Sequence, residues 1–101
     1  MHAEAEGEAQ IAGLRYEAKR VGLGDAFVDA LADILRRIEV NPRGYARVPS
    51  FPTAREIRFT ILKRFPYKVI YEVGPSEIVV LAVAHTSRRP YYWRRRDSSQ
   101  P

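Results

Sequence analysis

Two apolar segments near the C-terminus, joined by a turn, constrain the fold most strongly. In residues 67–73, YKVIYEV, alternate tyrosines and valines fall on one face while Lys68 and Glu72 fall on the other, which predicts a strand with one buried face. Residues 74–76, Gly-Pro-Ser, predict a turn. The uninterrupted apolar run at residues 78–84 predicts a strand covered on both faces, at the centre of the sheet.

A further strand is predicted upstream. Residues 55–65 alternate apolar with polar side chains, and the polar side of this strand carries Arg58, with Arg55 at its start. The link at residues 65–67 is too short for a parallel crossover, so the two strands should pair antiparallel. Residues 43–53, which contain glycine and prolines, predict a loop that crosses an edge of the fold.

The N-terminal part predicts a first helix. Residues 3–20 contain mostly strong helix formers, and Ile11, Leu14 and Ala18 fall on one face. Residues 21–24 form a glycine-bearing connector to the next element.

The second predicted helix is the clearest in the chain. Asp25 is suited to cap its start, and Asn41 followed by Pro42 ends it. Because the connector is so short, the two helices should form an antiparallel hairpin whose apolar side a sheet must cover, giving an α+β fold. The apolar stripe of this helix consists of Phe27, Ala30, Leu31, Ile34, Leu35 and Ile38.

Length and composition predict one small domain, residues 1–96, with residues 97–101 as a disordered end. No segment approaches the roughly 20 apolar residues of a membrane helix, and no secretory signal is visible, so we expect a cytoplasmic protein without membrane partners. The chain has no cysteine and two histidines, a composition that gives no recognisable metal site, and we expect no cofactor.

Charge is distributed unevenly along the chain. Residues 1–41 carry a balance of −3 and residues 42–101 a balance of +8, which gives the net charge of +5. A segregated basic half indicates a polyanionic partner such as nucleic acid or a ribonucleoprotein surface. A solvated basic face that keeps the protein soluble is the alternative.

The order and spacing of several segments resemble the RelE/ParE superfamily of toxins from type II toxin–antitoxin modules. The resemblance is carried by EAKRVGLGDAFVDALADILRRIEVNP, by RFPYKVIYEV and, after a turn, by IVVLAVAHTSRRPYYWRRR, so it runs from about His2 to Arg96. It implies a helical hairpin packed on a small antiparallel sheet of three or four strands.

The chain departs from this family at its start. Members begin with a strand before the first helix, and Met1 and His2 leave no room for one. Either the true start lies upstream, which we favour because exposed edges are usually selected against, or the sheet has an open edge that can pair with another chain.

Of the functions that the resemblance implies, we favour that of an enzyme, a ribosome-dependent mRNA endonuclease that inhibits translation and needs no metal. Such a reaction requires a base, an acid and cations that hold the phosphate. Lys68 matches a basic position of RelE-like nucleases, and Tyr92 matches a C-terminal tyrosine implicated in catalysis. His85 suits acid–base chemistry because the unperturbed pKa of histidine is roughly 6.5, and Arg88 is placed to hold a phosphate.

Three of these residues also have a structural interpretation. Lys68 is equally well an outward lysine, Tyr92 part of a clamp for the tail, and His85 a hydrogen-bonded histidine at a strand end. Further cations and one ring are candidates for contact with nucleic acid. They are Arg55, Arg58, Arg64, Arg89, Trp93 and Arg94.

A second departure from the RelE pattern supports a different function. RelE-like enzymes have an arginine directly after the last strand, where this chain has Thr86. Unless Arg88 substitutes for it, the catalytic set is incomplete and the ParE branch, whose members inhibit DNA gyrase without catalysis, is the alternative to the nuclease. In both branches the expected partners are a small, acidic, partly disordered antitoxin and the target, which is the ribosome with its mRNA or DNA gyrase.

Overall fold

Two helices and three strands make up the fold in the computed structural model, which describes residues 1–49 and 54–97. The helices α1 and α2 form a hairpin, and the three strands form one antiparallel sheet in the order β1-β2-β3. This confirms the predicted α+β fold. The elements are α1 (Ala3–Lys19), α2 (Leu23–Val40), β1 (Glu56–Ile61), β2 (Tyr67–Val73) and β3 (Ile78–His85).

The predicted apolar face of α1 is wrong, although the helix itself is confirmed. Ile11 and Leu14 are 52% and 72% exposed, whereas Ala5 and Ala12 on the opposite side are buried in the core. Short side chains let the helix backbone approach the sheet closely, whereas isoleucine and leucine would hold it away. For α2, by contrast, the predicted stripe is the one that packs in the core.

The helix α2 begins earlier than predicted, at Leu23, so Asp25 lies in its first turn and is not its cap. The preceding Gly22 has φ 88°, a left-handed conformation that glycine adopts without steric cost. At Gly24 the helices pack closely, since an added Cβ would lie 2.6 Å from the carbonyl oxygen of Gly13. Glycine at this position therefore sets the distance between the helices.

The strand predicted to be central is an edge strand. The central strand is β2, and β3 pairs with it alone. The uninterrupted apolar sequence of β3 reflects the cover on its two faces: Val80 and Val83 pack in the core beside the helices, and Leu81 and Ala82 pack against the C-terminal tail. An apolar run therefore indicated burial correctly but not position in the sheet.

The outer edge of β3 is closed by groups that are not strands. The backbone N–H of His2 donates to the carbonyl of Val80 at 2.8 Å, and the N–H of Val83 donates to the carboxylate of Glu8 at 3.1 Å. The guanidinium of Arg96 donates to the carbonyl of Leu81 at 2.9 Å. Within the described residues, this edge is thus not open between Val80 and Val83.

The edge of β1 is also covered, by the predicted loop. The N–H of Val48 donates to the carbonyl of Ile57 at 2.9 Å, and the N–H of Phe59 donates to the carbonyl of Ala46 at 3.0 Å. This confirms that the loop crosses an edge of the sheet. Its predicted continuation to residue 53 lies outside the described residues.

The C-terminal tail, residues 86–97, folds back over the face of the sheet that the helices leave uncovered. Trp93 is 3% exposed and packs in a second small core with Ile57, Ile70 and Leu81. The predicted disordered end lies outside the described residues from residue 98 onward. Among the helices of the described chain, none has the length and apolar character required to cross a membrane.

Candidate functional site

A pocket of about 170 Å³ surrounds Lys68 on the outer face of the sheet, opposite the helices. Lys68 lies on this face because its neighbours Tyr67 and Val69 pack against the helices. No hydrogen bond or ion pair joins the Lys68 side chain to another described residue. The remaining walls of the pocket are Val48, Pro49, Phe59, Ile70, Pro90, Tyr91 and Trp93.

The tail holds the walls of this pocket in place. The hydroxyl of Tyr91 donates to the carbonyl of Pro49 at 2.6 Å, and its ring meets the Trp93 ring edge-on at 6.1 Å between centroids. Tyr91 has φ 61°, which is uncommon for a residue with a bulky side chain. These contacts keep a strained backbone in position, and strain of this kind concentrates at functional sites.

Tyr92 faces away from this pocket into a polar network centred on Glu8. Its hydroxyl donates to the Glu8 carboxylate at 2.6 Å, and Arg96 donates to the same carboxylate at 2.9 Å. Burial and the hydrogen bond to Glu8 raise the pKa of the Tyr92 hydroxyl above its ordinary value of 10.0. Burial opposes the charge of Arg96, but the contacts with Glu8 outweigh it and raise the pKa of this guanidinium.

Glu8 is a central residue that the sequence did not predict. Its carboxylate joins α1, the edge of β3 and the tail through Val83, Tyr92 and Arg96. The spacing of Glu4 and Glu8 could have indicated this site, because the two glutamates are one helical turn apart and flank the alanine face of α1. In the structure Arg96 also pairs with Glu4 at 2.7 Å. The partner was hidden because it lies 88 residues along the chain.

His85 lies on the other face of the sheet from Lys68. It pairs with Tyr67 in the ladder, and the two rings meet edge-on at 5.2 Å on the side of the helices. Its Nδ1 lies 2.7 Å from the Ser87 hydroxyl and accepts the Ser87 N–H at 3.1 Å. These are the contacts of a hydrogen-bonded strand end.

The four residues predicted to be catalytic are therefore distributed over different surfaces. Lys68 is in the pocket on the outer face, and His85 is on the helical face. Arg88 stacks on the ring of Tyr92 at 3.9 Å, and the hydroxyl of that tyrosine is bound to Glu8. The structure brings Arg88 and Tyr92 together but separates His85 from Lys68.

Two of the arginines predicted to contact nucleic acid are paired with carboxylates. Arg55 donates to Glu72 at 2.8 Å and to backbone carbonyls of the tail. Arg58 donates to Glu56 at 2.8 Å and to the carbonyl of Tyr45 at 2.6 Å. Hydrogen bonds from arginines lower the pKa of Glu56. These contacts tie the tail and the loop to the sheet.

The other predicted cations lie on exposed turns. The Arg64 guanidinium lies 5.8 Å from the centroid of the Phe65 ring, in the turn between β1 and β2. Arg89 and Arg94 are exposed in the tail. The turn and the start of the tail meet at one end of the sheet, where the N–H of Thr86 donates to the carbonyl of Pro66 at 2.8 Å. Trp93, the predicted stacking ring, is buried.

The described residues contain no group of three or more histidine, aspartate or glutamate side chains that is suited to bind a metal.

Comparison with known proteins gives a family match. The family model described as ParE toxin of type II toxin-antitoxin system, parDE, matches residues 2–90, which include both helices and all three strands. No curated protein and no solved structure matches the chain.

Proposed function

Because this chain belongs to the ParE toxin family of type II toxin–antitoxin systems, we propose that it is a non-catalytic toxin that inhibits DNA gyrase by binding it. Membership in the family implies a cognate antitoxin as partner. The observation that carries the proposal is the placement of Lys68 and His85 on opposite faces of the sheet. A binding surface tolerates this arrangement, whereas a catalytic centre does not.

The alternative, cleavage of mRNA on the ribosome, requires acid, base and cation around one phosphodiester. Proton transfer demands hydrogen-bond reach, roughly 2.6–3.2 Å between heavy atoms. Lys68 and His85 lie on opposite faces of the sheet, an arrangement that disfavours contact of both with a common phosphate. The raised pKa of Tyr92 also disfavours its acting as a base near neutral pH, because its proton is held by burial and by the bond to Glu8.

The surface available for inhibition combines cations and a preformed apolar pocket. Arg64, Arg89 and Arg94 are exposed, and the Lys68 pocket lies on the adjoining face. Charge of this kind accelerates association with an acidic surface, and aromatic and apolar walls supply affinity. We propose an acidic, partly disordered antitoxin for the same reason, since it would neutralise these cations when it wraps the toxin.

Two activity assays with the purified protein test the proposal. We expect loss of gyrase-dependent supercoiling of a relaxed plasmid, with ribosome-bound message left intact. Site-specific cleavage of that message without any effect on gyrase would overturn the proposal in favour of the nuclease.

A His85→Ala variant sharpens this test. Gyrase inhibition should stay within about twofold of the wild type, because the His85 ring packs on Tyr67 and hydrogen-bonds Ser87 at a strand end. Thermal unfolding monitored by circular dichroism would verify that the variant is folded. Loss of gyrase inhibition in a folded His85→Ala variant would place the activity at this histidine and contradict the expectation that it takes no part.

A further inference from the structure

We propose that the pocket around Lys68 is a docking site for the cognate antitoxin. It would accept one apolar side chain of an acidic peptide segment, while a neighbouring carboxylate of that segment pairs with the Lys68 ammonium. The inference rests on the toxin–antitoxin part of the proposed function and is independent of whether the target is gyrase.

The charge in the pocket favours an acidic segment. Lys68 is half-buried beside Phe59, Ile70 and Trp93, and it has no carboxylate partner among the described residues. A cation in such surroundings has lost part of its hydration without gaining a counter-ion, so an incoming carboxylate forms a stronger pair there than on an open surface. Other cations near the tail, such as Arg55 and Arg96, already have acidic partners in the chain.

The size and the fixed walls of the pocket favour a single side chain. A volume of about 170 Å³ lies below the range of typical small-molecule sites, roughly 300–1,000 Å³, and suits a single side chain. The walls are fixed before binding, because Tyr91 is tied to Pro49 and Trp93 is buried in the second core. Preformed walls reduce the ordering cost of association, which favours a pocket that anchors a flexible segment.

The same geometry favours a peptide over a nucleic acid. Single-stranded nucleic acids stack on exposed aromatic faces and follow a track of several cations. Here the faces of Trp93 are covered, the hydroxyl of Tyr91 is engaged, and Lys68 is the only cation lining the pocket within the described residues. Aliphatic and proline walls are suited to an apolar side chain.

A larger groove elsewhere on the molecule is a poorer match for an acidic partner. It has a volume of about 610 Å³ and lies between the end of α2 and the turn from β2 to β3. The described residues that line it include Glu39 and Glu77, whose carboxylates have no partner in the described part of the chain, and Arg43 is the one basic side chain there. Arg43 is already paired with Glu56. Repulsion by the unpaired carboxylates would disfavour an acidic segment there.

The test is a titration of the full chain, labelled with ¹⁵N, with defined peptides. The probe is an acetylated and amidated glycine–serine nonapeptide with a central leucine flanked by two glutamates. We expect chemical-shift changes concentrated at Lys68, Tyr91 and the Trp93 indole. Lys68→Ala should weaken binding about tenfold, as expected for loss of one charged contact, whereas Lys63→Ala, which removes an exposed lysine outside the pocket, should leave the affinity within about twofold.

Two further ligands make the test decisive. Replacing the central leucine of the peptide by glycine should weaken binding about tenfold, since the apolar contact is lost. A deoxythymidine octanucleotide should not shift the same resonances. Equal losses for Lys63→Ala and Lys68→Ala would indicate diffuse attraction and overturn the inference, as would saturation of the pocket by the oligonucleotide or no peptide binding. None of these outcomes depends on gyrase inhibition, so the two proposals can fail separately.

Discussion

Replacement of Glu8 by alanine should detach the C-terminal tail from the rest of the domain. The carboxylate is bound by Tyr92 at 2.6 Å, by Arg96 at 2.9 Å and by the N–H of Val83 at 3.1 Å. The side chains of Glu8 and Arg96 are 16% and 12% exposed, so solvent screening is modest. Hydrogen bonds to charged groups contribute about 1.5–3 kcal/mol each but are not additive within one network, so we expect a loss of about 3 kcal/mol.

A loss of this size is large for a domain of 101 residues. Since about 1 kcal/mol shifts the melting temperature by roughly 4–8 °C at this size, Glu8→Ala should lower it by roughly 12–24 °C. Glu8→Gln loses the charge and keeps one acceptor oxygen, which serves either Val83 or Tyr92 but not both, so its melting temperature should fall in between. The single tryptophan, Trp93, reports on the tail directly, so its fluorescence should shift to the red in the alanine variant.

The matched control is Glu6→Ala on the same helix. The Glu6 side chain is exposed and has no hydrogen-bond or ion-pair partner among the described residues, so its replacement should change the melting temperature by less than about 4 °C. Circular dichroism and Trp93 fluorescence, recorded on the same samples, provide the measurements. If Glu8→Ala melted like Glu6→Ala and kept the wild-type fluorescence, the role of the Glu8 network in holding the tail would be refuted.

Two other predictions concern packing and pH. Gly24→Ala should destabilise the protein by about 1–3 kcal/mol, because the added Cβ would meet the Gly13 carbonyl oxygen. Gly7 has open space around it, so Gly7→Ala should stabilise α1 by about 0.5–1 kcal/mol. Urea unfolding measures both changes, and equal effects would contradict the close contact at Gly24. Because the pKa of Tyr92 is raised above 10.0 on folding, its contribution is complete below about pH 10 and is lost as pH rises through the folded-state pKa. The urea midpoint of the wild type should therefore fall more steeply between about pH 10 and 12 than that of Tyr92→Phe, and parallel curves would contradict this account.

Local sequence patterns predicted which face of a single helix or strand is buried. The stripe on α2 and the alternation in β2 each report which side chains pack against a neighbouring layer, and both are confirmed. In α1 the same reasoning failed, because alanines form the contact face and the larger Ile11 and Leu14 remain exposed. Isoleucine and leucine are more hydrophobic than alanine, yet in α1 the alanines are the buried residues. The close approach of this helix to the sheet requires small side chains at the contact.

The arrangement of the candidate site depended on strand register, which local patterns do not specify. An unbroken ladder from the pair Val73 and Ile78 would place Ala84 opposite Tyr67 and His85 on the face of Lys68. The observed shift between Ile70 and Tyr71 moves the register by one residue, so His85 pairs with Tyr67 on the helical face. One irregularity in the ladder therefore separates two residues that the sequence had grouped.

The dose dependence of inhibition tests most directly whether the toxin acts by occupying a surface of gyrase. With gyrase fixed at a concentration well above the dissociation constant, increasing amounts of toxin should reduce the supercoiling rate linearly to a break at a fixed molar ratio, and the extent should not grow with incubation time. Full supercoiling activity at a molar excess of folded toxin, together with cleavage of ribosome-bound message at substoichiometric doses, would contradict it.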